Sequence, residues 1–193
     1  MARKKEFDKE EVLTKAMQTF WRYGYEGTSM QQLVSNMGIN RGSLYDTFGD
    51  KRSLFLSAIA HYEQTVTKKM IAELQSPEAD RDTIVRAVYG MVKRILQEQD
   101  CYGCLITNTA VELCPYDEET STQIHRNFQG MTFIFKQALK NAQAKGQIDP
   151  NRDLDALANY LTASLQGLRV IGKVNRDRSV LQGIADNILL ALD

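Results

Sequence analysis

Three observations predict an all-α protein. The three prolines, Pro77, Pro115 and Pro150, each fall between segments whose apolar residues recur at helical spacing, where residues that cannot donate to a helix ladder belong. No stretch alternates apolar and polar residues for long enough to form a strand. Helix-capping and helix-stopping residues succeed one another through the N-terminal part of the chain.

Taken in order, Asp8 with Glu11 three residues on sets out a capping box, each side chain satisfying an N–H that opens a helix. Val12, Leu13, Ala16, Met17 and Phe20 follow at helical spacing, and Gly24 supplies the stop. A second helix starts at Thr28 or Ser29, with Gln31 and Gln32 at the matching capping positions. It turns Met30, Leu33 and Val34 inward and breaks at Asn36-Met37-Gly38. Asn40 caps a third helix, Arg41 to Phe48, which ends at Gly49. Asp50 caps a fourth, running through Leu54, Phe55, Ala58, Ile59 and Tyr62 towards Leu74. Further helices are expected at about 81–99, 103–114, 118–145, 153–174 and 178–191.

The 193 residues suffice for a small head on a larger body, divided here as 1–50 and 51–193. At 43% hydrophobic and 25% charged, the composition is that of an ordinary globular protein, not a disordered or fibrous one. No apolar run approaches the ~20 residues needed to cross a bilayer. The opening Met1-Ala-Arg-Lys-Lys-Glu has no apolar stretch behind it, so it does not read as a secretory signal and a cytoplasmic protein is expected. Lysine plus arginine balances aspartate plus glutamate, 24 against 24, so net charge does not announce a nucleic-acid binder. A small basic face on a head can still be cancelled in the total by an acidic body.

Two short helices joined by a glycine-containing turn, packed on a preceding helix, have the geometry of a helix-turn-helix. The second of the pair turns Arg41, Ser43, Tyr45 and Thr47 outward, with Gly42 leaving a gap, while Leu44 and Phe48 face the core. Hydrogen-bonding groups around a gap suit a helix lying in a major groove. A pair of polar helices in a bundle would show a similar spacing.

Tyr23-Gly24-Tyr25-Glu26-Gly27-Thr28-Ser29, then Gly38-Ile39-Asn40-Arg41-Gly42-Ser43-Leu44-Tyr45, then Phe48-Gly49-Asp50-Lys51 resembles the N-terminal signature of tetracycline-repressor (TetR) family regulators. The resemblance runs without gaps from about residue 8 to 60 and implies a dimeric DNA-binding repressor of a palindromic operator. It implies that Thr28 and Ser29 meet a phosphate, that Tyr45 bonds the DNA backbone, and that Lys51 pairs with another phosphate. Asn40, Arg41, Gly42, Ser43 and Thr47 complete the expected DNA set, with Arg41 the candidate for a guanine edge. Where histidine is common in the family this chain has Asp46, which is expected to turn towards the protein or pair with Arg41.

The last two long helices carry more apolar surface than one packing face needs. In the first, Leu154, Leu157, Ala158, Leu161, Leu165 and Leu168 form one stripe, and Tyr160, Ala163, Ser164, Gly167 and Ile171 line a second. In the last, Val180, Leu181, Ile184, Ala185, Ile188, Leu189 and Leu192 exceed a single stripe. The resemblance implies that both helices pair with their copies across a two-fold axis. The middle helices are expected to surround a small-molecule pocket lined by Tyr89, Cys104, Asn108, His125, Phe128, Met131 and Phe133.

Cys101-Tyr-Gly-Cys104 lacks the second pair a zinc site needs, with Cys114 and His125 at unconventional spacing and His61 remote. It also lacks the βαβ context of a thioredoxin-like motif. The stretch from Gly103 to Cys114 resembles a subset of the family with a thiol responsive to electrophiles or oxidants. That makes Cys104, with Lys173 approaching it, the candidate sensor. A helical thiol oxidoreductase and a helical interaction module without DNA binding are the competing functions. Against an enzyme stand the missing Ser/His/Asp constellation, Gly-rich phosphate loop and HExxH motif, and no cofactor or metal is expected.

Overall fold

The computed structural model describes residues 7–97 and 102–193, and every regular element in them is helical. Helix α1 (Lys9–Tyr23) opens on Asp8, whose carboxylate accepts from the N–H groups of Glu10 and Glu11. The reciprocal half of the expected capping box is replaced: Glu11 reaches forward to Lys15 at 2.7 Å. Helix α2 (Met30–Met37) does form the full box between Ser29 and Gln32. It ends at Gly38, whose φ of 71° is the left-handed conformation glycine adopts without penalty. Helices α3 (Arg41–Phe48) and α4 (Lys51–Tyr62) are capped by Asn40 and Asp50.

The fourth helix does not run straight on to Leu74. It loosens into a π-helical turn at Glu63–Thr67, continues as the short α5 (Lys68–Met70), and gives way to turns before Pro77. The body follows: α6 (Arg81–Gln97), α7 (Leu105–Glu112), α8 (Glu118–Ala144), α9 (Leu154–Val174) and α10 (Arg178–Leu189), closed by a 3₁₀ turn at Leu190–Leu192.

Two hydrophobic cores result. The body core joins α6, α8, α9 and α10 around Phe135, Leu139, Leu161 and Leu181, all fully buried. The head core joins α1 to α4 around Phe20, Leu33, Leu44 and Phe55. Helix α7 belongs to the head core, to which Cys104, Leu105, Ile106 and Leu113 contribute. This departs from the expected pocket of middle helices, because the apolar face of so short a helix is consumed by the head.

Three polar ties reinforce the junction. Glu112, at the end of α7, accepts from the backbone N–H of Tyr25 at 3.0 Å and of Glu26 at 2.9 Å. Gly24 must be glycine there: φ is 76°, and a Cβ would lie 2.8 Å from a Glu112 carboxylate oxygen. Arg52 of α4 donates two hydrogen bonds to Asp117, the N-cap of α8, at 3.0 and 2.8 Å, and a third to Glu119 at 2.6 Å. Asn127 of α8 donates to Glu63 in the π-helical turn at 3.0 Å.

Hydrogen bonds from Arg52, and then from the Thr120 N–H, hold the Asp117 carboxyl at about 2. A folded-state value below the unfolded ~3.9 stabilises the fold above that pH and ceases to do so as pH falls towards 2. Arg52→Gln is therefore expected to lower the urea midpoint at neutral pH. The gap to wild type should shrink as pH falls from about 4 towards 2. A gap independent of pH would show that the pair contributes nothing through charge.

Candidate nucleic-acid interface and thiol site

Helix α3 is held by its inner face, where Leu44 is fully buried and Phe48 nearly so. The outer face presents Arg41, Gly42, Tyr45 and Asp46, all exposed. The Arg41 guanidinium lies 5.9 Å from the centre of the Tyr45 ring, a cation–π approach that holds both side chains on the same outer surface. Asn40 spends its carbonyl oxygen on the Ser43 N–H at 2.8 Å, and Ser43 is half-buried. Lys51, in the first turn of α4, sits 4.3 Å above the Tyr25 ring. This cation–π approach holds its charge beside the turn that joins α1 to α2.

Several sequence expectations change here. Thr28 is fully buried, and its hydroxyl donates to the Gly24 carbonyl at 2.5 Å, so it braces the turn and does not face outward. Ser29 is exposed; its N–H donates to the Gln32 side chain and its hydroxyl oxygen accepts from the Gln32 N–H, which leaves the O–H free to donate. Thr47 points inward: its hydroxyl oxygen is buried without a hydrogen-bond partner. Asp46 stays exposed, and no ion pair joins it to Arg41 among the described residues. On an eight-residue helix the core-facing stripe of Leu44 and Phe48 brings Thr47 half-way round with it.

The residues expected to line one pocket are scattered instead. Tyr89 donates to Asp186 of α10 at 2.9 Å and borders an open groove between α6 and α10. His125 lies in a surface cleft with Cys114. Phe128 packs on the head core, Met131 sits in the body core, and Phe133 is 61% exposed. Helical periodicity places residues on a face but does not say which neighbour that face meets.

Cys104, Asn108 and Lys173 do come together. Cys104 is the N-cap of α7 and is buried. Lys173 donates to Asn108 at 3.2 Å, with its stem over Gly103. The cation on the thiol is a different residue, Arg169, one turn earlier on α9, with Nη1 3.0 Å from the Cys104 sulfur. Burial works to raise the Cys104 pKa, but Arg169 and hydrogen bonds involving Thr107 and Tyr62 outweigh it, leaving the thiol below its ordinary value. Burial, and next the neighbouring Cys104, push the Tyr62 hydroxyl far upward, so it stays a donor. Cys101 lies outside the described residues.

Sequence reasoning missed Arg169, Arg52 and Glu112. An arginine within the apolar stripe of α9, directly after Leu168, is the one signal that could have marked the first.

The architecture is thus a helix-turn-helix head on a helical body, the class of DNA-reading regulators. Residues 12–58 match the family described as bacterial regulatory proteins, tetR family, and residues 75–188 match the tetracyclin repressor-like C-terminal domain. The chain belongs to the tetR family. It is 37% identical over 194 residues to the HTH-type transcriptional regulator YezE of Bacillus subtilis, with 100% of each chain covered. It is 28% identical over 188 residues to the HTH-type transcriptional repressor ComR of Escherichia coli, covering 97% of this chain and 90% of that one. Among solved structures, a cysteine mutant of the TetR family regulator CifR, complexed with a 26bp double-strand operator DNA, matches with a TM-score of 0.88 at 27% identity. That match covers 100% of both chains.

The Cys104–Arg169 pair is testable by ultraviolet titration of the thiolate in a Cys101→Ser, Cys114→Ser background. The midpoint should fall below the ~8.5 of a free cysteine, and Arg169→Gln should move it upward. A wild-type midpoint at or above the free value would dissolve the pair.

Proposed function

We infer that this chain is a TetR-type transcriptional repressor that binds a palindromic operator as a homodimer. The observation that carries the reading is the exposed Arg41–Tyr45 surface on α3, set on a two-helix unit held from within by buried Leu33, Met37, Leu44 and Phe48. The family membership and the operator complex of CifR support it. Arg41 reads a base edge, Tyr45 and Ser43 reach the backbone, and Lys51 pairs with a phosphate beside the N-terminus of α4. Asn40 and Ser29 hold the helix starts that aim these groups, Gly42 permits close approach, and Thr28 and Thr47 act from within the head.

The dimer uses the outer side of α9, where Tyr160, Val170, Ile171 and Val174 are exposed in the single chain, the last by 85%. Val180 and Leu190 on the adjoining C-terminal segment extend that apolar face, which a second copy covers. We divide the chain into a reading head of about residues 1–50 and a regulatory, dimerising body, with α7 shared between them.

Release is proposed to follow modification of Cys104 by an electrophile or oxidant. Cys104 occupies the N-cap position of α7 at one end, its sulfur held by Arg169, and Glu112 holds the head loop at the other. Bulk added beside Arg169 displaces α7 and slackens that grip. No metal or cofactor enters this scheme. Among the described residues no helix is long and apolar enough to cross a membrane, and no His, Cys, Asp and Glu group has a metal-binding arrangement.

Selection of bound duplexes from a random pool should yield a palindrome with half-sites ~34–36 Å apart or slightly more. Arg41→Ala should cost ~1–3 kcal/mol and relax one position per half-site. Lys51→Ala should weaken all sequences alike and lower the salt slope by ~1. Equal effects of both variants on operator and random DNA would refute these roles. Treatment with hypochlorite or a quinone should release DNA from wild type and not from Cys104→Ser. Cys101→Ser and Cys114→Ser should behave as wild type, and release that persists in Cys104→Ser would remove the thiol from the mechanism.

A further inference from the structure

Arg169 is only 6% exposed, yet no carboxylate reaches it among the described residues. Its donors meet soft or neutral acceptors: Cys104 sulfur at 3.0 Å and Gln166 amide oxygen at 3.3 Å from Nη1, Met91 sulfur at 3.4 Å from Nε, and Met70 sulfur at 2.8 Å from Nη2. A thioether is a weak acceptor, and a buried cation without adequate partners is costly. The Nε–Nη2 edge, which takes a carboxylate bidentately, is the edge spent on the two methionines.

A second donor nearby lacks a partner. The indole N–H of Trp21 is buried with nothing to accept from it. Trp21 and Arg169 line the same cavity, whose apolar walls are Val66, Met70, Met91 and Ile95. As closed it has about 20 Å³ of free space, enough for one water, so a larger occupant requires the walls to move. The wall is adaptable. Methionines repack readily, and Met70 belongs to the short α5 that follows the π-helical turn, a departure from α geometry found often at functional sites.

We propose that this cavity is a binding site for a small organic carboxylate with a short apolar tail. The carboxylate takes the Nε–Nη2 edge of Arg169 and the indole N–H of Trp21, and the tail replaces Met70 and Met91 as they swing aside. The thiol keeps Nη1, so binding does not require Cys104 to react. Because Trp21 lies on α1 and Arg169 on α9, an occupant touches head and body at once.

Trp21 is the single tryptophan of the chain, so its emission is a signal from the wall of this cavity, and Arg169→Gln ties any change to this side of the indole. The full-length protein, without DNA, is titrated with hexanoate and benzoate and with their neutral amides, and calorimetry is run alongside. Both acids should give saturable binding at or below ~1 mM, with the amides at least about tenfold weaker. Arg169→Gln should erase the preference for acid over amide, and Trp21→Phe, followed by calorimetry, should weaken acid binding several-fold. Cys104→Ser should bind like wild type, which separates this site from thiol sensing. Absence of saturation up to ~10 mM, or amides binding as well as acids, would overturn the proposal. The acid–amide comparison on wild type decides even if Arg169→Gln does not fold.

Discussion

The carboxylate of Glu112 holds two backbone N–H groups of the head that no helix or turn could satisfy. Tyr25 and Glu26 follow the left-handed Gly24, where the chain has left α1 and not yet entered α2. An unpaired N–H in such a turn would cost about as much as a lost hydrogen bond. A charged acceptor serving both at once fixes the path of the loop. That path sets where α2 starts, hence where α3 lies, hence the direction in which Arg41 and Tyr45 point. The position of the exposed surface of α3 depends on an acid contributed from far along the chain.

Helix α7 therefore has two masters. Its apolar residues Leu105 and Ile106 are buried in the head core, and its C-terminal end grips the head loop. Its N-terminal end is tied to the body through Cys104, which meets Arg169, and through Asn108, which accepts from Lys173. Eight residues are too few to bend, so a displacement at one end reaches the other as a rigid shift. The Arg52 ties to Asp117 and Glu119 supply a pivot beside it. A buried guanidinium at the body end makes that end sensitive to any change of charge or bulk, since the interior screens it poorly.

Most of the helices were legible because their caps are local chemistry. Asp8, Ser29, Asn40 and Asp50 each accept from an N–H within three residues, as their identities and spacing imply. The π-helical turn after Tyr62 was not legible, because a helix that loosens without glycine or proline leaves no local mark. The surface of α3 is half legible: Leu44 fixes the inner face, and Thr47, three residues on, flanks the same stripe at helical spacing, which an outward assignment overlooks. Cys104 is singled out through a resemblance, with Lys173 expected to approach it; the structure brings Lys173 to Asn108 and puts Arg169 on the sulfur. Both residues lie on one face of α9, four apart, and only the tertiary fold decides that Arg169 meets the sulfur while Lys173 passes over Gly103. The pocket was least legible, since its candidates share helical periodicity but not a common neighbour.

The coupling through α7 is tested most directly by amide hydrogen exchange at Tyr25 and Glu26, before and after Cys104 is modified in a protein lacking the other two cysteines. Modification should strip protection from these two amides while Ala16, Met17 and Phe20 in the core of α1 keep theirs. Protection at Tyr25 and Glu26 that survives modification unchanged would contradict a signal carried from Cys104 to the head by this helix.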